Sequence, residues 1–325
     1  MRRTSRRSSA RKQHRRMSAA RRHRDAVLKD FVRTRSASMR TLLQTVEKVL
    51  DHDVNLLLLG ESGSGKDFFA EAIHACGKRR DKPFVKIDCA GIPAELFESE
   101  LFGYEKGTFT DAQSRKLGKL EMVRGGTVYF DDIASLAPAL QAKLLRAVQE
   151  KRFTRLGGNQ TVALDGRVIS SSSTSAEDLF AGLRRDLFYR INVVTLTIPP
   201  LRERTEDIPR LAKSFLARRK RGIDPEAMRM LVEHQWPGNV RELRNVIERA
   251  ILIEESDLIT PASLTPLEAD IVETATRQQW TLDDLESRYI REILLRTKSN
   301  YSRAAKILGI NRKTLLEKRR KYGIE

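Results

Sequence analysis

A glycine-rich stretch, GESGSGKD, carries the residue types that bind a polyphosphate. Its glycines allow backbone N–H groups to turn toward phosphate oxygens, and Lys66 can reach the β and γ phosphates. The stretch follows a short apolar run and opens a helical pattern, which is the context that such a loop requires. We therefore predict a nucleotide site, the alternative being a chance glycine turn. The predicted binding residues are Gly60, Glu61, Ser62, Gly63, Ser64, Gly65, Lys66 and Asp67.

Two adjacent carboxylates, Asp131 and Asp132, end a second apolar run, VYFDDI. The first acid can hold a Mg²⁺ ion and the second can orient an attacking water. Alternatively, the pair simply caps the following helix. Hydrolysis of a nucleotide also needs cations near the γ-phosphate, and LRRDLFYRIN offers Arg184, Arg185 and Arg190.

The elements that must position these residues alternate between short apolar runs and helical patterns. VNLLLLG and GGTVYFDDI are typical of buried strands, whereas FFAEAIHACG and LQAKLLRAVQEKRFTRLGG are read as helical segments. This alternation up to about residue 194 predicts a parallel sheet with helices on both faces. From residue 206 to residue 263 the pattern is all-helical, which predicts a small helical subdomain.

The charge of the chain is concentrated near its start. The net charge is +18, and residues 1 to 40 hold 15 Lys or Arg against two acids. This suggests a polyanion partner such as nucleic acid, or a solvated arm. Two cysteines give neither a disulfide framework nor a zinc site, and no apolar run is long enough for a membrane span. We expect a cytoplasmic protein without membrane attachment.

The C-terminal block predicts three helices of a helix-turn-helix domain. Gly309 lies at the expected tight turn, Ser302 is the expected cap of the second helix and Asn311 that of the third. Residues 281 to 325 hold 12 basic and six acidic groups, so we predict that the last helix enters the major groove of double-stranded DNA. A basic, solvated helix is the alternative. The candidate DNA-binding residues are Ser302, Asn311, Arg312, Lys313, Thr314, Lys318 and Arg319.

These patterns divide the chain into five regions. We expect a basic, disordered tail at 1–35, an α/β ATPase subdomain at 36–205, a helical lid subdomain at 206–265, a linker at 266–280 and a helix-turn-helix domain at 281–325.

Six motifs in register resemble the AAA+ domain of the NtrC-type bacterial enhancer-binding proteins, which activate transcription by the sigma-54 form of RNA polymerase. The motifs are GESGSGKD, ESELFGYEKGTFTDA, GGTVYFDDI, LLRAVQEKRFTRLGG, RRDLFYRINVVTLTIPPLRERTEDIP and WPGNVRELRNVIERA. The resemblance covers about residues 36 to 262, and the C-terminal block is similar to the Fis-like domain of these activators. It implies an α/β fold of the AAA+ P-loop class with a helical lid, followed by a small all-α domain.

The resemblance also implies roles for the candidate site residues. Lys66 and its loop would bind ATP, Asp131 would serve Mg²⁺ and Asp132 would polarise water. Arg184 and Arg190 match arginines that are presented to the ATP of the neighbouring subunit. This implies a ring, usually a hexamer, of this chain alone or with a related subunit.

Three more positions match family features. Arg241 matches the sensor arginine of the lid, which contacts nucleotide in its own subunit. Asp88 falls where the family commonly has an Asn switch, and Ser173 would have to replace a sensor Asn. The loop ends GKD where the family has GKE, and Asp132 stands where the family usually has Glu. Either change could slow hydrolysis without abolishing binding.

The family signature GAFTGA reads GTFTDA in this chain. The resemblance implies that this loop contacts sigma factor, and Asp111 adds a negative charge near that contact. The expected contact residues are Gly107, Thr108, Phe109, Thr110, Asp111 and Ala112.

The resulting hypothesis is a DNA-bound ATPase that uses ATP and Mg²⁺ to remodel sigma-54 RNA polymerase. A receiver domain does not fit before residue 36, so we expect control by expression level, by a separate regulatory protein or by a partner subunit. One alternative is a repressor or partner-dependent subunit of the same architecture that does not engage sigma-54. Another is a P-loop ATPase that acts in replication or as a clamp on DNA.

Overall fold

The computed structural model describes residues 34–109, 112–217, 221–264, 280–297 and 300–324. Almost all of the expected tail and linker lie outside these residues, as do Thr110 and Asp111 of the contact loop. The chain divides into two compact units between Ser263 and Leu264. Each unit is described by itself.

The strands and helices confirm the expected α/β fold with a helical lid and a helical C-terminal domain. The strands are β1 (Leu56–Leu59), β2 (Phe84–Asp88), β3 (Gly103–Tyr104), β4 (Lys116–Leu117), β5 (Gly126–Asp131), β6 (Arg152–Thr154), β7 (Thr161–Ala163), β8 (Gly166–Ser172), β9 (Val194–Thr197), β10 (Gly222–Ile223) and β11 (Leu258–Ile259). The helices are α1 (Ala37–Leu50), α2 (Lys66–Cys76), α3 (Ala94–Phe102), α4 (Pro138–Glu150), α5 (Ala176–Gly182), α6 (Arg185–Ile191), α7 (Ile208–Leu216), α8 (Pro225–Glu233), α9 (Asn239–Ile253), α10 (Leu282–Arg296), α11 (Tyr301–Leu308) and α12 (Arg312–Lys321).

The central sheet has five parallel strands in the order β2, β5, β8, β1, β9. Leu56 and Leu58 of β1 pack into one apolar cluster with α1 and α2, whereas Leu57 and Leu59 belong to a second cluster with α3 and α4. Because successive strand residues point to opposite faces, the two clusters lie on opposite sides of the sheet. The parallel arrangement puts the carboxyl ends of β1 and β5 at one edge, where α/β proteins bind ligands.

The segment read as one helix up to Gly158 is interrupted, so that expectation was wrong. Helix α4 ends at Glu150, and Lys151 takes a left-handed conformation with φ of 54°. Arg152–Thr154 then pairs with Thr161–Ala163 in an antiparallel hairpin. The left-handed residue stops the helix, and the aromatic and β-branched residues that follow suit a strand better than a helix.

The lid consists of α7, α8 and α9 and packs as part of the first unit. Trp236, in the turn before α9, is fully buried and donates from Nε1 to the Leu231 carbonyl at 2.7 Å. This buried indole fixes the turn from which α9 begins.

The C-terminal unit has the expected three helices around a small apolar cluster that includes Ile290, Ala304 and Leu315. Asn311 caps α12 by accepting from the Thr314 N–H at 2.8 Å, as predicted. The cap assigned to Ser302 was wrong: Asn300 caps α11 by accepting from the Arg303 N–H, which leaves Ser302 exposed within the first turn. None of the helices in the described ranges has the length and apolar character needed to cross a membrane.

Candidate nucleotide site, contact loop and DNA interface

The glycine-rich loop joins β1 to the start of α2, which is the geometry predicted for it. Gly65 precedes α2 with φ of 104°, and Gly63 has φ of 75°. The Lys66 ammonium donates to the carbonyls of Gly60 at 2.7 Å and Glu61 at 3.1 Å. Burial lowers the pKa of Lys66, and the nearby charges of Asp131 and Asp132 offset part of this effect.

The lid rests directly on this loop. The Gly63 carbonyl accepts from the backbone N–H of Val240 at 3.0 Å, and Arg241 Nη1 donates to Ser62 Oγ at 2.9 Å. A Cβ atom at Gly63 would come within 2.2 Å of the Gly238 carbonyl oxygen, so only glycine permits this approach. Arg241 thus lies beside the loop of its own chain, and its role as the sensor arginine stays a prediction.

Asn239 is a buried residue of this contact that the sequence analysis did not single out. Its amide donates to Glu61 Oε2 at 3.0 Å and to the Ser62 carbonyl at 3.1 Å, and it accepts from the Leu201 N–H at 2.7 Å. Arg202 also holds Glu61, through two hydrogen bonds of 2.6 and 2.8 Å. Arg202 lies in the stretch PPLRER and Asn239 in the stretch WPGN. Both stretches belong to the six motifs, which are the signal by which these two residues could have been found.

Arg204 supports the loop from beneath. It is buried and donates from Nη2 to the Ser64 carbonyl at 2.6 Å. Burial lowers the pKa of Arg204 to about 10, so the side chain remains charged at neutral pH. The loop is therefore held from the lid and from the segment that leads into it.

A cavity of about 850 Å³ opens between the loop and the lid. This volume lies within the range of small-molecule sites. The predicted residues that line the cavity are Ser62, Gly63, Ser64, Gly65, Lys66, Asp67, Asp88, Asp131, Asp132, Ser173 and Arg241. Gly60 and Glu61 make the hydrogen bonds to Lys66 and to the lid that were described above.

Asp131 and Asp67 are joined by a lysine that the sequence analysis did not identify. Lys86 Nζ lies 2.7 Å from Asp131 Oδ2 and 2.6 Å from Asp67 Oδ2. Burial works to lower the pKa of Lys86, but the hydrogen bonds to the two acids outweigh it and raise that pKa above its ordinary value. Lys86 is two residues before the end of β2, so its side chain lies on the same face as Asp88.

The other oxygen of Asp131 is also occupied. Ser171 Oγ donates to Asp131 Oδ1 at 2.9 Å, and the Tyr129 hydroxyl lies 3.1 Å from the same atom. The Tyr129 hydroxyl also lies 2.8 Å from Asp67 Oδ1. Burial works to raise the pKa of Asp131, but the hydrogen bonds from Lys86 and Ser171 hold it below its ordinary value. Asp131 is therefore an ionised carboxylate at neutral pH.

Asp132 and Ser173 are close to each other, whereas Asp88 turns toward its own loop. Ser173 Oγ lies 3.3 Å from Asp132 Oδ1, and Ser135 donates to Asp132 Oδ2 at 2.8 Å. Asp88 accepts from the backbone of Ala90 and Gly91 at 3.1 and 2.8 Å. The sensor role of Ser173 and the switch role of Asp88 stay predictions.

The two arginines predicted to act on a neighbouring subunit lie outside the cavity. Arg184 is exposed and pairs with Asp186 at 2.8 Å. Arg190 is exposed and donates to the Gln149 carbonyl at 3.4 Å. In one chain they are not brought to the candidate nucleotide site.

The described part of the contact loop is anchored at its base. Thr108 Oγ1 donates to the Glu105 carbonyl at 2.6 Å and approaches the Leu156 carbonyl at 3.0 Å. Phe109 is 45% exposed and packs edge-on against the Tyr104 ring, while Ala112 is buried and its carbonyl accepts from the Gly107 N–H. The loop therefore presents an aromatic ring on a fixed base.

A buried arginine joins this base to the β6–β7 hairpin. Arg155 donates to Glu105 at 2.8 Å and to Glu121 at 2.7 and 2.9 Å. The bonds to these carboxylates raise the pKa of Arg155 further above its ordinary value. The charge of Arg155 is compensated in place, as a buried guanidinium requires.

The candidate DNA-binding residues of α12 divide into two groups. Arg312 and Lys313 are exposed in the first turn. Lys318 pairs with Glu286 at 2.7 Å, and Arg319 donates to the Ile324 carbonyl at 2.8 Å. Arg312 and Lys313 thus face solvent at the start of α12, whereas Lys318 and Arg319 also stabilise the domain.

The residues around Asp131 fit the Mg²⁺ ion that an ATP site implies. Asp131 offers an ionised carboxylate on the cavity wall that Lys66 also lines, and Mg²⁺ commonly uses one or two carboxylates together with substrate phosphates and waters. In the part of the chain that the structure describes, no group of three or more His, Cys, Asp or Glu residues could hold a metal by itself. Asp131, with Asp67 nearby, would hold the ion.

Three family models match successive parts of the chain. The Sigma-54 interaction domain matches residues 32–197, the AAA+ ATPase lid domain matches residues 202–280, and the Bacterial regulatory protein, Fis family, matches residues 281–322. The order of the matches is that of the α/β region, the lid and the C-terminal helices.

Similar proteins cover most of the chain. Transcriptional regulatory protein ZraR of Salmonella typhimurium is 43% identical over 298 residues, covering 87% of this chain and 67% of ZraR. Regulatory protein AtoC of Escherichia coli K12 is 40% identical over 311 residues, covering 90% of this chain and 68% of AtoC. The crystal structure of NtrX from Brucella abortus in complex with ATP matches with a TM-score of 0.66 and 36% identity, over 90% of this chain and 69% of NtrX.

Proposed function

The chain belongs to the sigma-54 enhancer-binding proteins, a family of transcriptional regulators, and we propose that it hydrolyses ATP to drive promoter opening by sigma-54 RNA polymerase. The resemblance inferred from the six motifs is confirmed, as is the function of a sigma-54-dependent regulator. The observation that carries the proposal of hydrolysis is the meeting of Lys66, Asp131 and Asp132 in one cavity beneath Arg241.

The glycine-rich loop, Asp131 and Asp132 have different roles in the proposed hydrolysis. Backbone N–H groups of the glycine loop and the Lys66 ammonium bind the phosphates, and this positions the terminal phosphate for in-line attack. Asp132, oriented by Ser135 and close to Ser173, accepts a hydrogen bond from the attacking water. A bound Mg²⁺ ion would be held by Asp131 and would neutralise charge on the phosphates.

We further propose that the complete site forms between two subunits of a ring. Arg184 and Arg190 are exposed and lie away from the cavity of their own chain. Tyr189, which is 67% exposed, and Val193 place apolar surface beside them. Exposed apolar side chains flanked by arginines are typical of a protein interface, so this face suits a second copy or a related subunit.

The loop containing Phe109 is proposed to act on sigma factor. Its base is fixed by Thr108 and by the Arg155 ion pairs, so a movement of the α/β subdomain would reach the exposed ring. Thr110 and Asp111 complete the proposed contact and lie outside the described residues.

Purified protein mixed with sigma-54 RNA polymerase and a supercoiled promoter template tests the proposed function. We expect open complexes with hydrolysable ATP and none with a non-hydrolysable analogue, as measured by permanganate reactivity of the melted strand. DNA binding without hydrolysis or opening would instead support a repressor or a partner-dependent subunit. Hydrolysis stimulated by DNA but independent of sigma-54 would indicate a clamp-like ATPase.

Replacing Lys313 with alanine should weaken DNA binding through the loss of a phosphate contact in the first turn of α12. We expect the slope of log K against log salt for a short duplex to fall in magnitude by about 1. Fluorescence anisotropy at several salt concentrations measures this slope. Lys143→Ala, in the α/β subdomain, is the matched control and should leave the slope unchanged. An unchanged slope in Lys313→Ala would remove Lys313 from the interface.

A further inference from the structure

Lys86 lies between the carboxylates of Asp67 and Asp131 at the candidate nucleotide site. Its ammonium bridges Asp67, which follows the phosphate-binding lysine, and Asp131, which ends β5. The two contacts measure 2.6 and 2.7 Å, which is as short as the shortest charge-assisted hydrogen bonds between an ammonium and a carboxylate. The side chain is 38% exposed, so it can leave this position for solvent without breaking the core.

Both oxygens of Asp131 already have polar partners among the described residues. Oδ1 faces the hydroxyls of Ser171 and Tyr129, and Oδ2 receives the Lys86 ammonium. Ser171 and Tyr129 are buried residues of β8 and β5, so their hydroxyls are fixed by the sheet. Lys86 is the partner of Asp131 that can move away.

We propose that Lys86 is a tethered cation that competes with the divalent metal for Asp131 and Asp67. This inference rests on the proposed function, because the metal is the one that ATP hydrolysis at this site requires. An ammonium and a divalent ion that both contact Asp131 Oδ2 repel each other, so each weakens the binding of the other. Binding of the metal therefore favours displacement of Lys86, and the Lys86 contact raises the metal concentration that the site needs.

The competition also has a structural consequence for the metal-free form of the protein. Without either cation, Asp67 and Asp131 would face each other around the Tyr129 hydroxyl, which contacts both. Lys86 neutralises this pair while the metal is absent and returns to it when metal and product leave. Lys86 thus links the glycine loop to the end of β5 while the metal is absent.

Titration of the nucleotide-free protein with Mn²⁺ tests this inference without any hydrolysis. The electron paramagnetic resonance signal of free Mn²⁺ gives the bound fraction in the wild type and in Lys86→Met. We expect Lys86→Met to bind one Mn²⁺ about fivefold to tenfold more tightly, because an ion pair of this exposure contributes about 1 kcal/mol to the competition. Lys143→Met, which loses an exposed pair with Glu98, is the matched control and should titrate like the wild type.

A double variant tests whether the gain in Mn²⁺ affinity depends on Asp131. Lys86→Met combined with Asp131→Asn should lose it, whereas Lys86→Arg, which retains a cation, should remain as weak as the wild type. Lys86→Gln provides the same test if Lys86→Met does not unfold cooperatively. Equal Mn²⁺ affinity in wild type, Lys86→Met and Lys86→Gln would overturn the inference, as would a gain that survives Asp131→Asn.

The Mn²⁺ titration and the promoter assay test different claims, so a negative result in one does not imply a negative result in the other. Tighter Mn²⁺ binding without promoter opening by the wild type would contradict the proposed function and leave the competition in place. Promoter opening by the wild type together with equal Mn²⁺ affinities would contradict only the role of Lys86.

Discussion

Lys66→Ala is expected to abolish ATP-dependent promoter opening while leaving DNA binding intact. The Lys66 ammonium lies at the start of α2 in the cavity that also holds Asp131 and Asp132. Removing a preorganised cation from a phosphate site lowers turnover by about 100-fold or more. Helix α12, which is proposed to bind DNA, belongs to the other compact unit, so the substitution should not alter its affinity for a duplex. Phosphate release, permanganate footprinting and anisotropy measure the three quantities.

Two controls separate a lost phosphate contact from a damaged fold. The thermal unfolding midpoint of Lys66→Ala should remain close to that of the wild type, because the bonds that Lys66 makes here are to loop carbonyls that water can replace. Lys143→Ala, a lysine of α4 outside the nucleotide cavity, should keep full activity. Promoter opening by Lys66→Ala at the wild-type rate would exclude ATP hydrolysis at this loop as the source of activation.

The nucleotide site could be predicted where its residues are contiguous in the chain. The glycine loop follows β1 and opens α2, so backbone geometry and local residue types together specify a phosphate site. Asp131 could be placed by the same reasoning, because it ends a buried strand of a parallel sheet. Such features depend on a few neighbouring residues, which is why they are visible in one sequence.

The contacts of Lys86 with Asp67 and Asp131 could not be predicted in this way. Lys86, Tyr129 and Ser171 lie on three different strands, and the residues between them give no sign that their side chains meet. They meet because Lys86 pairs in register with Tyr129 and because Asp131, two residues further along β5, lies on the same face. Strand order and register are tertiary properties, so a lone lysine in KIDCA reads as an ordinary exposed strand residue.

The errors at helix ends have a local cause. Ser302 and Asn300 are both acceptable cap residue types, and in the structure Asn300 accepts from the Arg303 N–H. Lys151 follows the last residue of α4 in a left-handed conformation, which a lysine does not predict. The next strand, β6, is stabilised by pairing with β7, which begins seven residues after β6 ends. Where neighbouring residues favour a helix end about equally, tertiary packing decides at which of them the helix begins or ends.

Arg190→Ala is expected to lose ATPase activity alone and to regain it when mixed with Lys66→Ala. Arg190 is exposed and is not among the residues that line the cavity of its own chain, so the proposed action on ATP would require a neighbour. Loss of an arginine that stabilises the transition state costs about a thousandfold in turnover. In a mixed ring, the intact Lys66 of one variant faces the intact Arg190 of the other at about a quarter of the interfaces, if the two assemble at random in equal amounts. Phosphate release by the mixture should therefore approach about a quarter of the wild-type rate.

The double variant Lys66→Ala/Arg190→Ala decides whether this recovery arises at shared interfaces. Mixed with Arg190→Ala it supplies no Arg190, and mixed with Lys66→Ala it supplies no Lys66, so both mixtures should stay inactive. Light scattering must show that all mixtures assemble to the same size, because a failure to assemble would also give no recovery. Co-assembled rings that recover nothing, or full activity of Arg190→Ala alone, would contradict the action of Arg190 on the ATP of a neighbouring subunit. Recovery limited to the mixture of single variants requires that the exposed face of α6, with Arg190 beside Tyr189, meets the nucleotide cavity of the next subunit.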